Sequence, residues 1–205
     1  MTLIIATLIA ALALVVALRY AQRTIKQAIN DYTDPAPAQL EKGDTSPARL
    51  KAVQEKIAAF NEAIQTQKTS QELVLTADEI NTLFAAEPSL QTWADRLFLF
   101  IEGDQLKARI SWPLEDIGPF KLKGRYLNGV ANLKLSIEKG RLHAHMESVT
   151  AKDKPVPPQI LEFLRTIDIG EIIQQNLQST VALNEVQSIE IKDGNAIIRS
   201  KPPPQ

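Results

Sequence analysis

The chain of 205 residues contains no cysteine, and aromatic residues make up only 5% of it. The lack of cysteine excludes a disulfide framework, a zinc–thiolate site and a cysteine nucleophile. The aromatic content is too low for a surface that stacks nucleic-acid bases. The 23 basic and 24 acidic residues leave a formal net charge of −1, so no overall field attracts a polyanion. Composition therefore argues against a nucleic-acid-binding protein and against thiol chemistry.

The sequence also lacks the motifs that mark common catalytic and nucleotide-binding sites. It has no dinucleotide-binding G-x-G-x-x-G, P-loop, G-x-S-x-G or H-E-x-x-H pattern. Neighbouring carboxylates at Asp78–Glu79 and Glu115–Asp116 are explained by helix capping and by a loop. We therefore expect no enzyme activity, no catalytic residue and no cofactor.

The residues from Thr2 to Leu18 form a run without charge, proline or glycine. A helix of this length covers roughly 25 Å and lies near the lower limit of about 17 residues for crossing a bilayer. We predict a transmembrane anchor over residues 1–20. A cleaved signal peptide and a buried soluble helix are the alternatives, but a cleaved signal requires a basic start and a small-x-small site that this run lacks.

Three further regions are expected after the anchor. Residues 21–45 are predicted to be a helical extension followed by a linker rich in proline and charge. Residues 46–200 are predicted to form one domain, and residues 201–205 a disordered tail. Within the domain, Ser46–Pro47 is a typical helix start, and Thr76–Glu79 matches a capping box. One apolar stripe at helical spacing follows the first of these signals: Leu50, Val53, Ile57, Phe60 and Ile64.

Three segments read as β-hairpins, because each has two strands of alternating polarity around a glycine turn. They span residues 96–112, 131–146 and 186–200. Helical patterns at residues 159–167 and 169–178 separate the second hairpin from the third. The predicted fold is α+β: an N-terminal transmembrane helix, then a curved antiparallel sheet of about six strands packed against several helices.

The apolar face of that sheet could enclose a ligand or could be a plain core, and the sequence allows both. The side chains predicted to line such a cavity are Leu106, Ile110, Leu133, Leu135, Met146 and Phe163. A concave apolar sheet is a reasonable site for a lipid or another apolar molecule. A domain of this size nevertheless needs most of these side chains for its core.

His143, His145 and Glu147 occupy alternate positions of one predicted strand, so their side chains share a face. Such a trio could bind zinc or copper. The alternative is an ordinary solvated face, which Arg141 on the same side favours because it repels a cation. No fourth ligand is evident, so these residues are weak metal candidates only.

The segments Leu73–Phe84 (LVLTADEINTLF) and Gly124–Gly129 (GRYLNG), together with the hairpins, resemble an uncharacterised bacterial family of single-pass membrane-anchored proteins. The resemblance covers most of Leu73 to Arg199 and implies an extracytoplasmic domain of unassigned activity. A shorter likeness, through the pattern L-T-x-x-E-[IL]-N, is to anchored domains of the tubular lipid-binding kind.

The first functional hypothesis is a non-enzymatic module, tethered to the cell (inner) membrane, that binds a lipid or a protein partner. The alternative is a scaffold or protein-interaction domain that presents the polar face of its sheet and has no cavity. The resemblance places the domain outside the cytoplasm, whereas Arg19, Arg23 and Lys26 after the span favour the cytoplasmic side.

Overall fold

A computed structural model of the chain describes residues 29–66, 70–116, 122–177 and 183–202. Over these ranges the fold is α+β with antiparallel sheets, as predicted. The helices are α1 (Pro47–Thr66), α2 (Ala77–Ala86), α3 (Gln91–Ala94), α4 (Pro158–Arg165) and α5 (Ile169–Leu177). The strands are β1 (Glu72–Leu75), β2 (Leu97–Glu102), β3 (Gln105–Pro113), β4 (Tyr126–Glu138), β5 (Arg141–Ala151), β6 (Lys154–Pro155), β7 (Val186–Lys192) and β8 (Asn195–Ser200).

Helices α1 and α2 confirm the predictions made from their start signals. Helix α1 begins at Pro47, and Val53, Ile57 and Phe60 of its stripe are buried. At the start of α2, Glu79 N donates to Thr76 Oγ1 over 3.2 Å, and Thr76 N donates to Glu79 Oε2 over 2.9 Å. This reciprocal pair is a complete capping box, which satisfies two backbone N–H groups that the helix itself cannot.

The three predicted hairpins are present as β2–β3, β4–β5 and β7–β8, but the single sheet of about six strands was wrong. In the described residues, eight strands form two sheets, with the orders β2-β3-β4-β5-β6 and β1-β8-β7. Strand β1 pairs with β8, so the third hairpin belongs to a separate sheet. Alternation of polarity fixes the face of each residue but not the partner of each strand, which is why the sequence did not reveal this division.

The transmembrane helix of the predicted fold is not found among the described helices. Across the described ranges, no helix combines the length and the hydrophobicity that crossing a membrane requires. The predicted span, Thr2–Leu18, lies outside those ranges.

Two hydrophobic clusters hold the domain together. The larger cluster covers the apolar face of the five-stranded sheet and includes Trp112, Met146 and Leu164, which are all at least 96% buried. The smaller one lies between α1 and the three-stranded sheet, where Val53 and Phe60 meet Leu73. The opposite face of the five-stranded sheet carries polar residues such as Lys107, Arg109 and Asn132 and is called its polar face below.

Residues 34–44, which fall in the predicted linker, lie across the polar face of the five-stranded sheet and are called the strap below. Asp34 and Tyr126 exchange two backbone hydrogen bonds of 2.8 and 2.9 Å. The amide of Ala38 donates to Ser111 Oγ and to Asn128 Oδ1, each over 3.1 Å. The strap therefore covers the ends of β3 and β4 that lie near Ser111 and Asn128, and leaves the β4–β5 end of this face open.

Candidate functional site

His143 and His145 lie on the open part of the polar face, on strand β5. They alternate with the buried residues Leu142, Ala144 and Met146, so both imidazoles point to the same side. The rings stack with 6.0 Å between centroids. Their side chains are 29% and 44% exposed, so both can be reached from solvent.

A third residue, Asp168, completes this cluster from the turn between α4 and α5. Its Oδ2 accepts a 2.7 Å hydrogen bond from His143 Nδ1 and lies 3.9 Å from His145 Nε2. Its Oδ1 accepts from the backbone amides of Ala144, Gly170 and Glu171 at 3.0, 2.9 and 3.3 Å. One oxygen therefore fixes the carboxylate in place, while the other faces the two histidines.

The ionisation of Asp168 follows from these contacts. Burial raises the pKa of this carboxyl, but the hydrogen bonds from the Ala144 amide and from His143, with smaller contributions from Glu171 and His145, outweigh it. The net effect lowers the pKa of Asp168 below its ordinary value. The group is thus a carboxylate at neutral pH.

The structure does not bring the predicted Glu147 to the histidines, because strand β5 contains a β-bulge at this point. Asn132 pairs with Ser148 and Leu133 with Met146, so Glu147 is the extra residue without a partner across the ladder. After the bulge the buried positions move from Leu142, Ala144 and Met146 to Val149 and Ala151. The side chain of Glu147 is exposed, and its carbonyl accepts from Arg165 Nη2.

From the sequence alone, Asp168 can be recognised only as a helix cap, because it directly precedes the helical pattern at residues 169–178. That role is correct, since its Oδ1 caps the first turn of α5. Its proximity to β5 depends on tertiary contacts, and the one sequence signal is Gly170. A Cβ on Gly170 would lie 2.4 Å from the carbonyl oxygen of Leu142, so glycine lets the helix approach the strand backbone.

The residues predicted to line an apolar cavity are found in the larger hydrophobic cluster. Leu106, Ile110 and Met146 are at least 96% buried there, and Leu133, Leu135 and Phe163 pack against it in partly buried positions. Two surface pockets formed by described residues, one beside Asn81 and one beside Val74, contain none of the six. Their surroundings are those of core residues.

The second surface of interest is the outer edge of β1, the edge that faces away from β8. The amide of Ser200 donates to the carbonyl of Gln71, so hydrogen bonds to β8 fall at residues 71, 73 and 75. The backbone groups of Glu72 and Val74 therefore point outward. No strand in the described part of the chain pairs with this edge.

A groove of about 440 Å³ runs beside this edge, between β1 and α1. Its walls are Lys56, Ala59, Phe60, Ala63, Gln71, Glu72, Leu73 and Val74. Val74, with 42% of its surface exposed, is the one large hydrophobic residue of the described ranges that is exposed. An unpaired strand edge, small helix side chains and an exposed valine thus occur together.

The fold defines an α+β domain built on two antiparallel sheets. No protein-family model, no curated protein and no solved structure matches the chain. The likeness to a family of anchored bacterial proteins through residues 124–129 stays a prediction. In the structure this segment holds the strap: Arg125 donates to Thr33 Oγ1 and Asn128 Nδ2 to Asp34 Oδ2.

Proposed function

We propose that the chain is a protein-interaction domain that binds an extended segment of a partner protein along the outer edge of β1. This develops the hypothesis of an interaction domain without a ligand cavity, but it moves the binding surface from the polar sheet face to a strand edge. The observation that carries the proposal is the unpaired edge at Glu72 and Val74 beside an apolar groove. Adding a strand to an exposed sheet edge is a common mode of peptide recognition.

Side chains close the edge of β2 and part of the edge of β5, unlike the edge of β1. On β2, Asn81 donates to the carbonyl of Leu99 and accepts from its amide, at 2.7 and 2.9 Å. On β5, Gln174 and Asp168 accept from the outward amides of Leu142 and Ala144. No strand of the described residues pairs with the outward backbone groups of Glu72 and Val74. Proteins commonly block their strand edges, so an open one marks a pairing site.

The groove defines the chemistry of the partner. Side chains on one face of a paired strand would enter it and meet Ala59, Phe60 and Ala63, which favours aliphatic residues at alternate positions. Lys56 at the rim is half exposed and bonds to Glu79 over 2.6 Å, so its charge is already compensated. The partner segment is therefore expected to be extended, apolar at every second residue and without a required charge.

The test uses a phage-displayed library of seven-residue peptides with Val, Ile or Leu at alternate positions. Selected peptides are measured against the full chain by fluorescence anisotropy. Val74→Pro removes an outward donor without removing a hydrogen bond to β8, and edge strands tolerate such a proline. We expect Val74→Pro to weaken binding by about tenfold, since one backbone hydrogen bond contributes about 0.5–1.5 kcal/mol and the ring also obstructs the edge.

Val74→Ala is the matched control, because it keeps the backbone donor and removes only the exposed side chain. It should weaken binding less than Val74→Pro does. Selected peptides that bind both variants as well as they bind the wild type would contradict the proposal, as would a library that yields no binder. A concentration-dependent dimer of the free chain that Val74→Pro abolishes would show that the edge pairs with a second copy instead.

A further inference from the structure

We propose that His143, His145 and Asp168 form a binding site for one divalent transition-metal ion, with zinc as the reference cation. The site lies on the open part of the polar face and does not depend on the strand-pairing function of β1. It replaces the sequence-predicted trio by substituting Asp168 for Glu147.

The distances between the three donors suit a metal ion. One nitrogen of each histidine and one oxygen of Asp168 lie within 4.8 Å of one another. Zinc binds imidazole nitrogen and carboxylate oxygen at about 2.0–2.2 Å, so tetrahedral neighbours are roughly 3.4 Å apart. The observed 2.7 Å from Asp168 Oδ2 to His143 and 3.9 Å to His145 bracket that value. A metal ion would replace the proton that His143 now shares with Asp168.

The carboxylate has the support that metal ligands usually have. Three backbone amides hold Oδ1 of Asp168, which leaves Oδ2 for coordination through a single oxygen. Hydrogen bonds of this kind to the ligand orient it and are typical of working metal sites. The side chain is 16% exposed, so the binding oxygen is shielded from bulk water but not sealed from it.

His145 provides independent support. Its Nδ1 is buried and has no hydrogen-bond partner, and its Nε2 is too far from Asp168 for a hydrogen bond. A buried polar atom without a partner, such as this Nδ1, is unusual in a folded protein. The Nε2 atom, on the side of Asp168, makes no hydrogen bond to the described residues and is available to coordinate a metal ion.

The neighbouring charges set limits on the affinity. Lys134 is directly opposite His145 on β4, and Arg141 lies two residues before His143 on the same face. Both are exposed, so solvent screens their repulsion of a cation. Two nitrogens and one oxygen favour late first-row cations such as Zn²⁺, Ni²⁺ or Co²⁺ over Ca²⁺ or Mg²⁺. Water would complete the coordination.

The test is a calorimetric titration of tag-free, chelator-treated full chain with ZnCl₂, followed by Co²⁺ visible spectroscopy. The sequence has two histidines and no cysteine, so background sites are few. Asp168→Asn keeps an oxygen to cap α5 but removes the carboxylate, and His145→Phe keeps a ring against His143. We expect one Zn²⁺ per chain, with binding weakened by about 10–100-fold in each variant. Added Co²⁺ should show the absorption of a nitrogen-coordinated ion.

Glu147→Gln is the matched control and should bind zinc as the wild type does. Equal losses in Glu147→Gln and Asp168→Asn would overturn the assignment of the third ligand. The absence of binding at millimolar Zn²⁺, or binding that His145→Phe leaves unchanged, would overturn the site itself. Thermal melts of the variants without metal show whether a loss arises from unfolding, and His145→Phe is the decisive variant because it removes no hydrogen bond.

Discussion

Strand β5, over residues 141–148, and strand β1 each have an outer edge with no strand paired to it, and the rest of the chain contacts these two edges differently. At β5, helices α4 and α5 and the turn between them supply Arg165, Gln174 and Asp168, whose side chains bond to the strand backbone. At β1, helix α1 lies nearby but leaves a groove instead of a contact along the edge. Side chains therefore satisfy outward backbone groups of β5, whereas the outward backbone groups of β1 remain available for pairing with another strand.

This difference indicates which strand edge of the molecule can pair selectively with a strand of another chain. To close a strand edge, a neighbouring helix or turn must place a polar side chain level with an outward backbone group of the strand. A glycine is often needed as well, so that the helix can come close to the strand. The edge of β1 is only four residues long, which limits accidental pairing without preventing a selective one. Substitutions at the closed edges should therefore affect stability, whereas substitutions at β1 should affect binding.

The largest effect is expected from opening the edge of β2 with Asn81→Ala. Asn81 is 3% exposed and pairs with both the amide and the carbonyl of Leu99. The substitution leaves two buried backbone groups without partners, at about 1–3 kcal/mol each, so we expect a loss of about 2–4 kcal/mol. Urea unfolding measures it. Thr82→Val, at an equally buried position, is the control and should cost less; a loss below that of the control would contradict the role of Asn81.

A smaller but more diagnostic effect is expected from Gly170→Ala at the edge of β5. Helix propensity alone predicts stabilisation by about 1 kcal/mol. The added Cβ, however, would lie 2.4 Å from the carbonyl oxygen of Leu142 and 2.7 Å from the amide nitrogen of Ala144. We therefore expect a destabilisation of about 1–3 kcal/mol. The sign of the change in thermal midpoint decides between the two, and an increase would show that α5 does not rest on β5.

The smallest effect is the acid sensitivity of the β5 edge. Since the folded state lowers the pKa of Asp168, its contribution to stability is complete above the pKa of an unfolded aspartate, about 3.9, and is lost as pH falls through the lower folded value. Asp168→Asn should therefore flatten the decline of the urea midpoint between pH 5 and 3. Val74→Pro, at the open edge, should leave that decline unchanged. An undiminished slope in Asp168→Asn would exclude this carboxylate as a source of acid sensitivity.

Most of the local structure could be predicted from the sequence because its signals are local. The capping box of Thr76 and Glu79, the start of α1 at Pro47 and the three hairpins each depend on residues close in the chain. The division into two sheets could not be predicted, because β1 and β8 are apolar strands whose pairing depends on distant residues. The turn at Lys152 and Asp153, both at positive φ, was missed because neither residue is a glycine.

The candidate site was predicted in part. The face shared by His143 and His145 follows from alternation, and the structure confirms it. The third predicted residue, Glu147, is not part of the described cluster for a geometric reason, since the bulge in β5 falls at this residue. Asp168 lies 25 positions from His143, and no spacing rule connects a helix cap with a strand. The residues that share one face of a strand can be predicted from a sequence, but the helix that packs against the edge of that strand cannot.

Because the chain is synthesised from its N-terminus, strand β1 is made well before β8, the strand with which it pairs. Glu72 and Arg199 are 127 positions apart. At about 5–20 residues per second, translation takes roughly 6–25 seconds to pass from one to the other. During that interval β1 has emerged from the ribosome with both of its edges unpaired, and a strand from a chaperone or another nascent chain can reach it before β8 exists.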